Sequence, residues 1–356
     1  MTLAVNIAQG ASNNVTFRNK IINGNMVIDQ RNAGASVTPA DGAYTLDRWQ
    51  YQASQASKFT VQQNAASVTP PTGFSNYLGA TVAASVSVGS GDYFGLLQRI
   101  EGFNFADMAW GTASASPITV SFWVRSSLTG TFGGSLRNSA QNRSYPFTYI
   151  ISSANTWEQK TVTIAGDTSG TWVGATNGTG LQVWFALGTG STYSGTSGAW
   201  AGANYLSATG ATSVVATNGA TFYITGVQLE AGTTASPFEY RQYGTEFQLC
   251  QRYFSLMAGG GACGTAESNN RASVTYQFSV PMRTAPTGTL NASKGSLSQP
   301  QGGPNSLTTM SSFFFGTPAS AEAGWCVFDM SGTPWTTGRV IINNGTTGMV
   351  QFSAEL

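Results

Sequence analysis

Residues 221–254 read TFYITGVQLEAGTTASPFEYRQYGTEFQLCQRYF, and the hydrophobic period changes inside this stretch. Its first part, residues 221–229, alternates with period two and is rich in β-branched and aromatic residues, which predicts a strand. One predicted face carries Thr221, Tyr223, Thr225, Val227 and Leu229, and the other carries Phe222, Ile224 and Gln228. Gly226 interrupts the second face, so we expect a β-bulge at this position.

The second part of the stretch has a helical period. Beyond the turn at Ala231-Gly232 and beyond Pro237, apolar residues are spaced by four, three and four positions, at Tyr243, Phe247, Cys250 and Phe254. This spacing puts them on one helical stripe, so we predict a linker helix over residues 241–254. Because a switch of period marks the end of a sheet domain, we expect a β domain at residues 21–240, preceded by an arm at 1–20, and a smaller β domain at residues 255–356.

A helix of this length is marginally stable by itself and needs a surface to pack on. The stripe of Tyr243, Phe247, Cys250 and Phe254 has heptad-like spacing, and three copies would bury it around a threefold axis. We therefore predict a homotrimer with this helix near the axis. The alternative is that the stripe packs only on its own sandwich.

The rest of the chain indicates an all-β protein. Short alternating runs lie at residues 58–64, 77–88, 119–125, 147–151, 160–164, 181–187 and 271–280, and segments rich in Gly, Ser, Thr and Asn separate them. In residues 119–125, Val120, Phe122 and Val124 point inward and Trp123 points outward. Many short strands with turn signals between them predict an antiparallel β-sandwich.

The composition excludes several classes of function. Charged residues make up 9% of the chain, against roughly 25% in an average soluble protein. The net charge is +1 and no basic run is present, which argues against nucleic-acid binding. No stretch approaches the roughly 20 apolar residues of a membrane span, so we expect no membrane insertion. Cys250, Cys263 and Cys326 are odd in number and lack metal-ligand spacing, which favours thiols over a disulfide framework.

Several segments resemble bacteriophage tail-fibre and receptor-binding proteins. The strongest are GVQLEAGTTASPFEYR, residues 226–241, CQRYF, residues 250–254, and PMRTAPT, residues 281–287. Further matches lie at residues 22–24, 30–31, 44–49, 93–102 and 352–356. In that family the first segment closes a jelly-roll sandwich similar to carbohydrate-binding modules, and the second leads out of it. The resemblance therefore implies a jelly roll for residues 21–240.

The same resemblance implies a virion protein, made in the host cytoplasm and exposed on the particle. We expect a trimeric tail fibre that binds a glycan on the host cell surface and attaches to another virion protein through the arm at residues 1–20. The arm could instead be a frayed terminus. The alternatives for the whole protein are a capsid (head) fibre or knob with a structural or weakly adhesive role, and a polysaccharide depolymerase.

Catalysis is restricted by the absence of histidine, which removes His-based acid–base catalysis, serine triads and His-containing zinc sites. A glycosidase needs two carboxylates roughly 5 to 10 Å apart. The candidates Glu101, Asp107, Asp167, Glu230 and Glu239 lie on different segments. Since proteins of this class mostly bind rather than cleave, we expect no catalytic residues and no cofactor. A structural Ca²⁺, as in carbohydrate-binding modules, could use oxygens of Glu230 and Asp47.

The candidate ligand-binding residues lie in residues 188–219, the longest segment between predicted strands. Tyr193, Trp200 and Tyr205 stand there among Gly, Ser, Thr and Asn, a mixture of rigid rings and adaptable polar groups that recognition surfaces favour. We place receptor binding first at residues 191–205. The alternative is that these rings anchor the loop to the sandwich or to a neighbouring subunit. The second candidate surface includes Trp335 and residues 313–315.

Overall fold

The computed structural model describes residues 17–257, 263–291, 296–299, 303–306, 310–316, 320–330, 335, 337–343 and 349–356. Two compact units divide the chain, Met1–Gln242 and Tyr243–Leu356. Residues 1–16, most of the predicted arm, lie outside the described part. Within the described ranges, no helix has both the length and the apolarity needed to cross a membrane.

The first unit is built from short strands. In chain order they are β1 (Tyr44–Leu46), β2 (Trp49–Ala53), β3 (Phe59–Gln63), β4 (Leu78–Val82), β5 (Tyr93–Glu101), β6 (Ile118–Ser126), β7 (Gly130–Arg137), β8 (Ser144–Ile151), β9 (Glu158–Ile164), β10 (Thr179–Thr189), β11 (Ser194–Gly195), β12 (Ser207–Ala208) and β13 (Thr221–Ala231). Single turns of 3-10 helix lie at Ala65–Ser67, Gly102–Asn104, Ala106–Met108, Ser191–Tyr193 and Val214–Ala216.

Two antiparallel sheets carry most of these strands, which confirms the all-β, antiparallel sandwich. One sheet has six strands in the order β1-β2-β5-β10-β7-β8, and the other has five in the order β3-β4-β13-β6-β9. The core lies between them because alternate side chains of both sheets point inward. Phe122 of β6 meets Phe185 of β10 edge-on, with ring centroids 5.0 Å apart. Val120, Phe122 and Val124 are fully buried, as expected, whereas Trp123 is half-buried.

Strand β13 changes face at Gly226. The register with β6 shifts between Thr225 and Gln228, and Gly226 has a φ of +60°, so the expected bulge is confirmed. A bulge adds one residue and reverses the alternation beyond it. Val227 and Leu229 therefore join the core with Phe222 and Ile224. Our prediction that Val227 and Leu229 share a face with Tyr223 was wrong for this reason.

The second unit begins with the helix α1 (Tyr243–Gln251). Its strands are β14 (Phe254–Leu256), β15 (Cys263–Ala266), β16 (Arg271–Gln277), β17 (Thr287–Leu290), β18 (Ser296–Gln299), β19 (Gly303–Ser306), β20 (Met310–Gly316), β21 (Ala323–Met330), β22 (Val340–Asn343) and β23 (Val350–Ser353). They form sheets in the orders β14-β23-β17 and β19-β18-β22-β15-β16-β21-β20. A separate apolar cluster, which includes Val274, Phe328 and Phe352, is the core of this unit.

The predicted linker helix is shorter than expected at both ends. Phe254 belongs to β14, where it pairs with Ser353, so its inclusion in the helical stripe was wrong. The strand ladder to β23 takes priority over one more helical turn because it also satisfies the backbone groups of residues 254–256. Tyr243 and Phe247 stack with ring centroids 6.1 Å apart, and Tyr243 is 65% exposed. Cys250 is buried. The axial position of this helix stays a prediction.

The cysteines differ in exposure, and this predicts a labelling result. All three are thiols, with Cys250 and Cys326 buried and Cys263 exposed. Burial raises the pKa of the Cys326 thiol to about 12, so roughly one such thiol in ten thousand is ionised at pH 8. We expect one fast-reacting thiol per native chain with a disulfide reagent and three in denaturant. Cys263→Ser should remove the fast phase, and a second fast thiol in that variant would contradict the assignment.

Candidate functional site

The segment that carries the family resemblance forms a closed hydrogen-bond system at the end of β13. The Glu239 carboxylate accepts from the backbone N–H groups of Phe17, Arg18 and Asn19 at 2.7, 3.2 and 3.0 Å. The Arg241 guanidinium donates to the carbonyl oxygens of Asn19 and Ile21. Residues 239 and 241 therefore hold the incoming chain at residues 17–21, and we call this arrangement the N-terminal clasp.

The motif residues before the clasp hold its shape. The Glu230 carboxylate accepts from the backbone N–H and the hydroxyl of Ser236 at 2.8 and 2.5 Å. The Gln228 side chain donates to Glu230 at 2.8 Å and accepts from the N–H of Glu239 at 2.8 Å. Each of these polar groups is used within the loop. The motif is therefore a structural element that ties the two ends of the first unit together.

A different group of polar residues lies on the outer face of the six-stranded sheet, the face turned away from the core. Arg99 on β5 is opposite Gln182 on β10, and Gln182 is opposite Arg137 on β7. We call these three residues the arginine row. They face outward because their neighbours along each strand, such as Leu181, Val183 and Leu136, belong to the core.

Neutral amide oxygens accept hydrogen bonds from both guanidinium groups of the arginine row. Arg99 donates to the Gln50 side-chain oxygen. Arg137 donates to the Gln182 oxygen and to the Asn204 oxygen, each at 2.7 Å. Arg137 is 2% exposed. Burial and the nearby charge of Arg99 lower the pKa of Arg137 to about 9, which still leaves the guanidinium charged at pH 7.

Two buried hydrogen-bond donors lie beside this row, on Arg137 and on Trp184. Among the residues that the structure describes, none accepts a hydrogen bond from Nε of Arg137 or from Nε1 of Trp184. The Arg137 guanidinium lies over the Trp184 ring, 5.4 Å from its centroid. Trp184 itself is fully buried. A buried donor without an acceptor is costly, so this pair marks a place where an acceptor is missing.

Residues 193–208, which we call the cover segment, lie over the row and over Trp184. Leu206 packs in a small apolar cluster with Trp184 and Leu97, and Tyr193 packs against the same cluster. A two-residue parallel pairing of β11 with β12 joins the two ends of the cover segment to each other. The segment is held to β8 by Ser144, whose backbone pairs with Ala201 and whose hydroxyl donates to Ala203 and accepts from Tyr205. Asn204 accepts from Arg137 of the row and donates to the Gln141 side-chain oxygen at 3.2 Å.

The structure places the predicted ligand-binding residues of this loop in two separate regions of the first unit. Tyr193 meets Tyr93 edge-on, with centroids 5.5 Å apart, beside the arginine row. Tyr205 lies against Gly195, where a side chain would meet its ring. Both tyrosines are half-buried. Trp200 lies apart from them, because it packs on Trp110, Trp172 and Tyr145 with centroids 5.1, 5.5 and 5.2 Å away.

The packing of Trp200 supports the alternative that it anchors the loop. Its Nε1 donates to the carbonyl of Ala165 at 2.8 Å, and its ring is half-buried among the other indoles. Asp167 holds this cluster together, because its carboxylate binds Arg143 through two hydrogen bonds of 2.8 and 2.6 Å and also accepts from Trp172. The N–H groups of Trp110 and Trp172 have acceptors as well.

We expect Trp200→Ala to lower the free energy of unfolding of the first unit by about 2 to 3 kcal/mol, because it removes most of a packed indole and one hydrogen bond. Trp200→Phe retains the ring contacts but not the N–H, and should cost about 1 kcal/mol. Urea unfolding followed by tryptophan fluorescence measures both. A Trp200→Ala variant as stable as the native chain would favour a ring that is available to ligand.

Trp335 lies in the core of the second unit, 4% exposed. Its placement on a ligand-binding surface was therefore wrong, because its apolar ring is used to fill that core. The side chains of residues 313–315 lie outside the described part of the chain.

The other chemical expectations concern carboxylates and metal. Asp107 accepts from Lys20 at 2.6 Å, Asp47 accepts from Gln30, and Asp167, Glu230 and Glu239 have the structural contacts given above. Within the described residues, no group of three or more Cys, Asp or Glu side chains could hold a metal ion. The suggested Ca²⁺ ligands Glu230 and Asp47 are thus each bound by donors of the protein itself.

Comparisons with known proteins assign no family. No protein-family model matches the chain, and no curated protein matches it. Similar solved structures include the enzymatically active domain of tailspike protein 4 of bacteriophage CBA120, with 14% identity over 60% of this chain and a TM-score of 0.34. This match spans 22% of the tailspike chain.

Two further solved structures are similar at the same level. The family 11 carbohydrate-binding module of Clostridium thermocellum, in complex with a mixed-linked tetrasaccharide, has 8% identity over 55% of this chain and 96% of its own, with a TM-score of 0.28. An arabinose-bound α-L-arabinofuranosidase has 16% identity over 67% of this chain and 29% of its own, with a TM-score of 0.32. All of these TM-scores are below 0.5 and are too low to support a function.

The arginine row was missed by sequence reasoning, although a signal for it exists. Gln182 and Trp184 alternate with Leu181, Val183 and Phe185, so they had to face away from the core. What the alternation does not reveal is which strands are neighbours. Strand β7 follows β5 by many residues, yet both flank β10, and this order brings Arg99 and Arg137 to either side of Gln182.

Proposed function

We propose that this chain is a non-enzymatic virion fibre protein that binds a host-surface glycan on the outer face of its six-stranded sheet. The observation that carries the proposal is the arginine row in register across three central strands, next to the rings of Tyr93 and Trp184. Sugar hydroxyls are bound by planar amides and guanidinium groups, and sugar rings pack on aromatic faces. The resemblance of residues 226–254 to phage fibre proteins supports the virion assignment.

The accessible part of this face is at Arg99. Arg99 and Gln52 are half-buried, and Gln52 donates to the same Gln50 oxygen that accepts from Arg99. A glycan hydroxyl can therefore replace a side-chain partner here without opening the core. The carboxylates with described contacts are held by structural donors, which supports binding without cleavage.

For assembly we propose a homotrimer, supported by the exposed Tyr243 and its stack with Phe247 on α1. We further propose that another virion protein binds the arm at residues 1–20. Light scattering that shows a monomer at micromolar concentration would exclude the trimer. Electron microscopy of virions labelled with an antibody against the protein would show whether it is attached to the tail or to the head.

A second candidate function is a capsid fibre or knob with a mainly structural role. The use of Trp200 to anchor its own loop favours this candidate, because the most aromatic loop is then committed to packing. The two candidates share a fold and differ in whether the sheet face binds sugars.

Glycan binding is tested with the purified full chain on an array of bacterial surface polysaccharides. We expect Arg99→Ala to weaken binding about tenfold or more, since hydrogen bonds to a charged group are lost. Arg125→Ala is the matched control, because Arg125 is also half-buried but faces outward from the other sheet. Retained binding by Arg99→Ala would place the site elsewhere. No binding by the native chain to any polysaccharide would favour the structural candidate.

A further inference from the structure

We propose that the ligand of this face is an acidic sugar, whose carboxylate takes the place of Asn204 on Arg137. The proposal rests on the glycan binding proposed above and names its chemical class: a uronic acid or another sugar acid. Three features of the covered row carry it, namely an uncompensated buried charge, two donors without acceptors among the described residues, and a neutral side chain in the position of the acceptor.

The first feature is the charge of Arg137. The side chain is 2% exposed, and its hydrogen-bond partners are the neutral amides of Gln182 and Asn204. In the described part of the chain, no carboxylate forms an ion pair with it. A buried charge is normally paired, because amide oxygens replace only part of the solvation that water gives a guanidinium. A bound anion would neutralise the buried charge of Arg137.

The second feature is the pair of donors without acceptors. Nε of Arg137 and Nε1 of Trp184 both lack an acceptor among the described residues, and the guanidinium is 5.4 Å from the indole centroid. A carboxylate carries two oxygens that only accept hydrogen bonds when ionised. In the place of Asn204, one carboxylate oxygen accepts from Nη1 of Arg137. Its negative charge also offsets the two donors that lack acceptors, which a neutral hydroxyl cannot do with comparable strength.

The third feature is Asn204, which occupies the acceptor position. Asn204 is half-buried, and its neutral side-chain amide accepts from Arg137 and donates to Gln141. A carboxylate forms a charge-assisted bond with a guanidinium that is roughly twice as strong as a neutral one. The exchange moves Asn204 outward together with its neighbours Ala203 and Tyr205, which are hydrogen-bonded to the Ser144 hydroxyl at 2.7 and 3.1 Å.

Arg99 gives the anion a path to this position. It is half-exposed, lies one strand away from Gln182 in the same row, and its charge is felt at Arg137. Glu101 on the same strand is itself 1% exposed and lies opposite Thr179, away from the Arg137 end of the row. An incoming carboxylate therefore meets the guanidinium of Arg99 first and that of Arg137 second.

The test uses the full chain and two ligands with the same sugar rings: an oligogalacturonate, and its fully methyl-esterified form, which has a methyl ester in place of each carboxylate and no charge. Titration calorimetry gives the affinities, and tryptophan fluorescence reports the environment of Trp184. We expect the acid to bind at least about tenfold more tightly than the ester, because a charge-assisted bond is lost in the ester. Arg125→Ala, on the other sheet, should bind both ligands as the native chain does.

Two variants test whether the ligand carboxylate binds Arg137 in the place of Asn204. Arg137→Gln should bind the acid and the ester equally. Since that variant could fail to fold, Asn204→Ala provides an independent test: removal of the competing amide should tighten binding of the acid and leave the ester unchanged. An Asn204→Ala variant that binds the acid no better than the native chain would overturn the proposal.

The outcomes separate this proposal from the proposed function. Equal binding of acid and ester by the native chain overturns the acidic ligand and leaves glycan binding in place. The same conclusion follows if the native chain binds neutral polysaccharides but binds neither oligogalacturonate nor sialylated and other acidic glycans. That result also overturns the acidic ligand and leaves glycan binding in place. The absence of binding to every glycan overturns both.

Discussion

Asp167→Ala is expected to lower the free energy of unfolding of the first unit by about 3 kcal/mol, since removal of one partner from a buried ion pair leaves an uncompensated charge. Asp167 is 2% exposed and binds Arg143 through Nε and Nη2. These hydrogen bonds raise the pKa of Arg143. The guanidinium also stays charged when they are removed, because an arginine side chain is protonated at neutral pH without a partner.

The loss should extend to the aromatic cluster. The Asp167 carboxylate accepts from Trp172 at 3.2 Å, and the Arg143 guanidinium lies 6.0 Å from the centroid of Trp200. Without the carboxylate, both rings lose an orienting contact, and the attachment of residues 198–201 to β8 is weakened. Urea unfolding followed by tryptophan fluorescence measures the effect, with hydrogen exchange of residues 198–201 as a local readout.

The chain contains a matched control for burial. Arg271 and Asp329 form the same two-bond geometry at 2.6 and 2.8 Å, but Arg271 is exposed on the second unit. Asp329→Ala should therefore have a much smaller effect, because water screens the exposed guanidinium. Equal losses from the two substitutions would show that burial of Asp167 is not the source of its contribution.

Glu239→Ala is expected to open the N-terminal clasp and cost about 2 to 3 kcal/mol, since three backbone N–H groups lose a charged acceptor. Residues 17–19 are then held mainly by Arg241 and by the Asn19 side chain, which accepts from Leu229 at 3.0 Å. The freed segment contains Arg18 and Lys20, which are trypsin sites.

Limited digestion with trypsin, followed by mass measurement of the new N-terminus, tests the clasp directly. The native chain should be cut slowly after Arg18 and Lys20, and the Glu239→Ala chain should be cut at both within minutes. Glu239→Gln retains one acceptor oxygen and should be intermediate. Asp107→Ala, which removes only an exposed partner of Lys20, is the control that should leave digestion after Arg18 unchanged. Identical cutting of all four chains would contradict the clasp.

Local pattern was sufficient for the strands and for the bulge. Alternation of small sets such as Val120, Phe122 and Val124 identifies a core face because successive side chains of a strand point to opposite sides. Gly226 was identifiable for a similar reason, since glycine interrupts an otherwise apolar face and adopts the positive φ that a bulge uses.

Alternation and spacing gave wrong assignments where a bulge or a distant strand changed the local structure. Val227 and Leu229 were assigned to the face of Tyr223 because period two was continued across Gly226, and the bulge shifts that period by one. Phe254 was assigned to the helix by its spacing, but pairing with β23 recruits it into a strand. The spacing of apolar residues predicts what a segment could form by itself. It gives no information about a partner strand about 100 residues away.

For the candidate site too, some features follow from the local sequence pattern and others depend on the tertiary structure. The sequence by itself determined that this is an all-β sandwich, that Gln182 and Trp184 face away from its core, and that residues 191–205 combine rings with small polar residues. Only the tertiary structure decided that Trp200 packs into an indole cluster, that Trp335 fills a core, and that Arg99, Gln182 and Arg137 form one row. The physical reason is that alternation fixes which face of its own strand a side chain occupies, whereas strand order and register depend on hydrogen bonds between segments far apart in the chain.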